Sequence, residues 1–413
     1  MRLGDVANAE AAKYGKPLDG IRILALEQMQ ALPFATQLLA RLGAEVIKVE
    51  SPNGGDSGRA AQPGFPDPQG RNVGATFSRN NFNKRSICVD LKNPAGKQLI
   101  LDMAPKFDIV AENFKSGALK KMGLGYEDIA AVHPGAVYVS ISGFGSSPSP
   151  YSSWPAYASV VEAMSGLYDY TFADTMPPVP SPMGALGDTA TGMFAVIGIL
   201  AALRHRDVTG EGQHVDVAML DTMVSMGDLV PNFYSLGVGR GEHRKTAIMD
   251  SFRANDGWFV LQVVREHQLV RLAELVGHPE WIDDPRFAER SNWWKQIESD
   301  VRPAIDTWAA DKTRLQACEA LSAAGLAAGP CFRDAEIIVD PHVQAHNMLV
   351  ELDRPDGGRP VLVPGNPIKM SKVAEGPETR VPWLGEHTDE VLAEELGLSP
   401  DELAELHESG AVA

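Results

Sequence analysis

The chain has 413 residues, 44% hydrophobic and 22% charged, with 37 Lys and Arg against 54 Asp and Glu for a net charge of −17. That size and balance predict a globular protein of two domains with ample core, and the acidic excess argues against nucleic acid or an anionic membrane as partner. The longest apolar run, residues 193–203, is about half a membrane span, and Met1 to Asp5 lack the apolar stretch of a signal peptide. Cys88, Cys318 and Cys331 show no metal-ligand spacing, so the expectation is a cytoplasmic protein with reduced thiols and no metal.

The charge is unevenly spread. Residues 71–121 carry 10 Lys and Arg against 4 Asp and Glu, whereas residues 151–413 carry 20 against 40. A basic segment in an acidic chain suits a small polyanion, although any one of these cations is as readily a solvated helix-face residue.

In chain order, residues 21–26 read as a strand, 34–42 as a helix ended by Gly43, and 45–50 as a second strand. A strand at 86–90, a helix at 94–106 opened by Pro94, and strands at 108–112 and 136–142 follow. Strands separated by helices imply parallel pairing through right-handed crossovers, so the fold class is α/β with an open, doubly wound sheet. A Ser- and Pro-rich loop at 144–156 precedes a helix at 157–168. After Pro-rich residues 176–182 come an apolar helix, a strand at 213–219 and a long helix at 220–234.

The character then changes. Residues 240–330 hold five of the seven tryptophans and a hairpin-like Asp256-Gly257-Trp258, and are otherwise mostly helical. The domains are therefore drawn as 1–235, a small domain at 236–330, and a returning segment at 331–413. That last segment carries short strands at 348–352 and 360–363 and helices at 388–396 and 400–407.

Asp188 stands out. It lies in Gly184-Ala185-Leu186-Gly187-Asp188-Thr189-Ala190-Thr191-Gly192, directly before the apolar run, which predicts a carboxylate at the first turn of a helix buried on all sides. A shielded carboxylate that stays ionised there can serve as a nucleophile. The ordinary alternative is a helix N-cap, for which aspartate is among the favoured residues.

A dinucleotide site fits poorly. The turn after the first strand, Glu27-Gln28-Met29-Gln30-Ala31-Leu32-Pro33, has no glycine to admit a pyrophosphate, and Gly237-Val238-Gly239-Arg240-Gly241 follows a helix rather than a strand.

Several segments together resemble the class III coenzyme A transferases. They are residues 38–50 (Leu38 to Glu50), Asn83-Lys84-Arg85-Ser86, and Glu112-Asn113-Phe114 running on to Met122-Gly123-Leu124-Gly125-Tyr126. Ser142-Gly143-Phe144-Gly145, residues 184–203 and Gly385-Glu386-His387-Thr388 complete the set, collinear from about 17 to 410. The resemblance implies a Rossmann-like large domain built from both chain ends, a smaller α+β domain, and two subunits interlocked as a homodimer. It also implies an acyl-CoA:carboxylate CoA-transferase, with coenzyme A and acyl-CoA as substrates rather than permanently bound cofactors. Asp188 would be the nucleophile, passing through a mixed anhydride and an aspartyl-CoA thioester. Gln30 would donate to the developing oxyanion, and Arg59, Lys84, Arg85, Asn113, Phe114 and Lys121 would contact CoA.

The chain departs from that pattern at Phe144, where formyl-CoA transferase has a tyrosine. Ala158 and Glu162 stand where Asp and Gln are frequent, and the family's multi-glycine loop is only partly echoed at 237–241. These changes point away from oxalate or formate as substrates. The same fold hosts α-methylacyl-CoA racemases, which use a His/Asp pair after the Ser-Gly-Phe-Gly segment; here Pro155-Ala156-Tyr157-Ala158-Ser159 supplies neither. A noncatalytic acyl-CoA-binding protein, with Asp188 as a cap only, is the third reading.

Overall fold

The computed structural model describes residues 1–170, 177–178, 180–227, 229–237 and 247–413. Its centre is a six-stranded sheet, every pair parallel: β1 (Arg22–Leu26), β2 (Glu45–Glu50), β3 (Lys84–Cys88), β4 (Ile109–Glu112), β5 (Val137–Ser142) and β6 (Gln213–Ala218). Five of these six strands are buried at all or all but one of their positions. The spatial order is β3-β2-β1-β4-β5-β6, so the winding reverses between β1 and β4.

Contacts divide the described chain into two compact units, Met1–Asp228 with His342–Ala413, and Leu229–Pro341. In the first, α1 (Ala31–Arg41), α3 (Ala158–Met164), α4 (Leu186–Thr209) and α5 (Met219–Met226) cover one face of the sheet. On the other face α2 (Pro94–Met103) packs with α9 (Thr388–Leu396) and α10 (Pro400–Glu408) from the far end of the chain. That returning segment also closes the open edge of β3. The Ser86 N–H donates to His387 Nδ1 at 3.2 Å, the Cys88 N–H to Thr388 Oγ1 at 3.0 Å, and Val89 bridges Val412. An exposed strand edge is a template for unwanted pairing, and here it is covered.

In the second unit β7 (Ile248–Ala254) and β8 (Gly257–Val263) form an antiparallel hairpin, extended by β9 (Ala327–Pro330) on the far side of β8. Helices α6 (Glu266–Val276), α7 (Arg302–Ala309) and α8 (Arg314–Ala323) complete its core around Trp281 and Trp293.

Two sequence expectations are corrected. The helix expected over 220–234 is interrupted: α5 ends at Met226, Gly227 takes extended backbone (φ −98°, ψ 94°), and a π-helical turn follows at Leu229–Phe233. Glycine at 227 disfavours helix continuation. Helix α4 is not buried on all sides either: Met193, Ile197 and Leu200 are exposed in the single chain. It is long and apolar enough to cross a membrane by composition, yet 56% of its apolar window is buried inside the protein, as in a core helix. The segment Gly237 to Gly241 lies outside the described residues after Gly237, as do parts of 176–182.

Candidate active site

In an open parallel sheet, ligands bind beyond the carboxyl ends of the strands where the winding reverses. Here that point lies between Leu26 at the end of β1 and Glu112 at the end of β4. The chain leaving β1 turns sharply through Gln28, Met29 and Gln30 before α1 begins at Ala31. Met29 is left-handed (φ 61°), an unusual state for a side chain of its size. Three hydrogen bonds hold the turn. Asn113 Oδ1 accepts the Gln28 N–H at 2.9 Å, Asn113 Nδ2 donates to the Gln28 carbonyl at 2.9 Å, and Asp56 Oδ1 accepts the Met29 N–H at 2.8 Å.

A cavity of about 420 Å³ opens at this turn. Gln30, Asn113, Phe114, Lys115, Phe144 and Asp188 are among its lining residues. Gln30 sits at the N-cap of α1 with no capping bond from its side chain, and its Oε1 is buried without a partner. Beyond the turn, Phe144 and Trp154 line the wall with the Tyr151 ring packed between them, the rings tilted to one another (centroids 5.6 and 4.9 Å apart).

Asp188 reaches this cavity because two glycines let its helix approach closely. A Cβ on Gly192 would lie 2.7 Å from the Ala31 carbonyl oxygen, and one on Gly187 would lie 3.1 Å from the Ala158 Cα. Helix α4 is thereby wedged between the start of α1 and α3. The N-cap of α4 is Ala185, and Asp188 is its third helical residue, so the capping role open to it in the sequence is corrected. Burial, reinforced by the neighbouring Glu162 and opposed by Arg79, pushes the Asp188 carboxyl up to about 6. It remains mostly ionised at neutral pH but is a far better base than a solvated aspartate.

The cations are placed differently from expectation. Arg59 is 4% exposed, grips Glu50 with two bonds (2.7 and 2.6 Å) and lies over the Phe77 ring. Lys84 Nζ is buried against Glu27 at 2.7 Å, Asn81 and the Pro33 carbonyl. Arg85 is spread over Glu45, Glu390 and Glu394 on the outer edge of the sheet. None of the three lines the cavity, and each is paired with carboxylates. Lys121 is exposed on the helix Ala118–Met122.

Arg59 and Lys84 serve a buried charge cluster beneath the turn. Lys48 joins it, with Nζ 2.8 Å from Asp56 and 3.4 Å from Glu27. Burial would raise Glu50, yet Arg59 and Lys48 hold it down to about 2. Burial lowers Lys84 to about 8 against the pull of Glu27. Three carboxylates (Glu27, Glu50, Asp56) and three cations (Lys48, Arg59, Lys84) balance, which is how so many charges are tolerated inside.

A family model for CoA-transferase family III matches residues 18–388. The chain belongs to that family. Among relatives, the formyl-CoA:oxalate CoA-transferase of Bradyrhizobium sp. is 33% identical, the match covering 96% of this chain and 97% of the relative. That of Streptomyces avermitilis is 35% identical over 96% and 100%. Among solved structures, a CAIB/BAIF family protein from Brucella suis superposes with a TM-score of 0.79 at 32% identity, over 92% of this chain and 99% of that one. Rv3272 from M. tuberculosis gives 0.78 at 30%, over 90% and 98%. The protein is thus an enzyme of the class III CoA-transferase type.

Of the CoA-transferase site residues expected from sequence, the fold gathers Asp188, Gln30, Asn113 and Phe114 around one cavity. Sequence reasoning passed over Lys115 as a site residue. It lines the cavity, and its Nζ donates to the Ser153 carbonyl. Its position directly after Phe114 in the basic segment was the available signal. Among the described residues no cluster of three or more His, Cys, Asp or Glu is placed to hold a metal.

Proposed function

We propose that this CoA-transferase moves CoA from an acyl-CoA donor to a carboxylic acid acceptor through covalent intermediates on Asp188. An Asp188 oxygen attacks the thioester carbonyl, the C–S bond breaks, and CoA leaves as the thiolate, giving a mixed anhydride. The thiolate then attacks the aspartyl carbonyl, releasing the donor acid and leaving an aspartyl-CoA thioester. The acceptor carboxylate runs the two steps in reverse. One thioester replaces another, so the exchange is close to isoenergetic, and covalent capture divides a difficult step in two.

The observation that carries this reading is the convergence of Asp188, Gln30 and Asn113 on a single cavity at the switch point. The Gln30 amide is assigned the oxyanion, whose charge it would meet as the tetrahedral centre forms. Asn113 and Phe114 are assigned the CoA moiety, with Lys115 at the cavity and the exposed Lys121 as candidate cations for its phosphates. Formyl-CoA and oxalate, named for the relatives, are the first pair to test. Phe144 offers no hydroxyl and the wall beside it is aromatic, which favours a less polar acid.

The catalytic unit is proposed to be an interlocked homodimer in the cytoplasm, with residues 236–330 as the core of its small domain. The exposed apolar stripe Met193, Ile197 and Leu200 on α4 is the surface a second subunit would cover. Among the described lining residues there is no histidine, so nothing favours the racemase.

The test is trapping. Incubation with acyl-CoA followed by hydroxylamine should mark Asp188, and Asp188→Ala should abolish transfer while CoA still binds. Binding with neither turnover nor labelling would end the reading.

A further inference from the structure

Helix α3 places a second carboxylate behind Asp188. Glu162 is 1% exposed, and its Oε1 accepts the Gly187 N–H at 3.0 Å, the amide of the residue just before Asp188 in the first turn of α4. Its Oε2 accepts the Tyr168 hydroxyl at 2.8 Å. Gly187 makes the approach possible, since a Cβ there would meet the Ala158 Cα and Val161 Cγ2 of the same helix, each at 3.1 Å. An orphan amide at the start of α4 is therefore satisfied by a charge from a neighbouring helix, where a local cap would ordinarily stand. Sequence comparison presented Glu162 only as a departure; the fold gives it a place.

We propose that Glu162 is a positioning residue for Asp188, pinning the first turn of α4 through Gly187 while setting a fixed negative charge behind the nucleophile. This rests on the transferase reading above and extends it. The charged groups acting on Asp188 are Glu162 from α3, which disfavours its ionised form, and Arg79 from the helix Ala75–Asn80, which favours it. In the reaction, an Asp188 oxygen bonds to the acyl carbon while the C–S bond breaks and its electron pair leaves on the CoA sulfur. Asp188 has then lost its charge. Repulsion from Glu162 acts only on the free carboxylate, so it raises the nucleophile's basicity and favours the acylated aspartate over the free one. A near-isosteric glutamine would still accept the Gly187 N–H through its amide oxygen, would meet the Tyr168 hydroxyl as a donor instead of an acceptor, and would remove that push.

The test is Glu162→Gln, read by the acidic limb of kcat/KM against pH and by the fraction of Asp188 trapped after acyl-CoA addition. The limb should move about one pH unit lower, as expected for loss of a like charge. The trapped fraction should fall, with the melting temperature near that of the parent. Should Glu162→Gln fail to fold, Glu162→Met is read in the same way. A folded, uncharged variant whose limb and trapped fraction match the parent overturns the inference. Asp188→Asn, assayed alongside, separates the two claims. If it is dead while the Glu162 variants behave as the parent, only the role of Glu162 falls. If it still transfers CoA, the aspartyl mechanism falls and this inference with it.

Discussion

Asn113 and Gln28 hold one another twice, the Asn113 side chain accepting from the Gln28 N–H and donating to its carbonyl, both at 2.9 Å. An asparagine side chain thus pairs with the backbone as a neighbouring strand would, across the point where β1 and β4 part. It fixes the turn that presents Gln30. Asn113→Ala should lower stability by about 1–3 kcal/mol, the sum of two partly buried bonds. It should also depress kcat at saturating substrate, because the turn loses its register. Urea unfolding and steady-state kinetics check both, and an unchanged kcat would detach the turn from catalysis.

The cluster beneath that turn makes a second test. Lys84→Met leaves Glu27 with Lys48 at 3.4 Å and the Thr36 hydroxyl as partners. Breaking a buried pair from one side should cost about 3 kcal/mol. The KM for acyl-CoA should change little if Lys84 is structural, as its burial indicates. A large rise in KM without loss of stability would return Lys84 to the substrate.

The pH dependence follows from Asp188. Its carboxyl is pushed up to about 6 in the folded protein, chiefly by burial. Transfer should therefore fall as pH drops through about 6, as the nucleophile takes up a proton. Stability runs the opposite way. The folded state holds that proton more tightly than the unfolded chain, so this residue's contribution is lost as pH rises from about 4 through 6. Asp188→Asn should accordingly be inactive yet more stable at pH 7, by on the order of 2 kcal/mol. Calorimetry of the two proteins at pH 5 and pH 7.5 is the measurement, and an Asn variant no more stable at either pH would contradict it.

Gly192 provides a steric test. Alanine there would set a methyl 2.7 Å from the Ala31 carbonyl oxygen and 2.9 Å from Phe34 Cδ1. Helix α4 must then back away from α1, carrying Asp188 from Gln30. A loss of about 1–3 kcal/mol is expected from such overpacking. The fall in kcat should exceed any change in CoA affinity.

The sheet was readable because its strands are short segments, apolar or with apolar and charged residues interleaved, between turns and helices: β2 falls on the expected 45–50, and β1 and β5 are each one residue shorter than expected. Asp188 was readable because glycines bracket it ahead of an apolar run. What stayed hidden is pairing. Nothing local says that Arg59 spends its guanidinium on Glu50 or Lys84 its ammonium on Glu27, since those partners come from other strands. Likewise an apolar helix announces burial without saying on how many sides, and Ile197 at 63% exposure shows the difference. Glu162 belongs here too, as its partner amide lies 25 residues away.

The closure of β3 by α9 and by the bridge from Val89 to Val412 bears on how the polypeptide matures. Residues on either side of a 113-residue insertion must find one another before that edge is sealed. During translation the sheet, whose last strand ends at Ala218, waits with its β3 rim bare until residues near 412 have left the ribosome. Chaperone demand should therefore be concentrated late in synthesis, and truncations that remove only the last few residues should aggregate rather than merely lose activity.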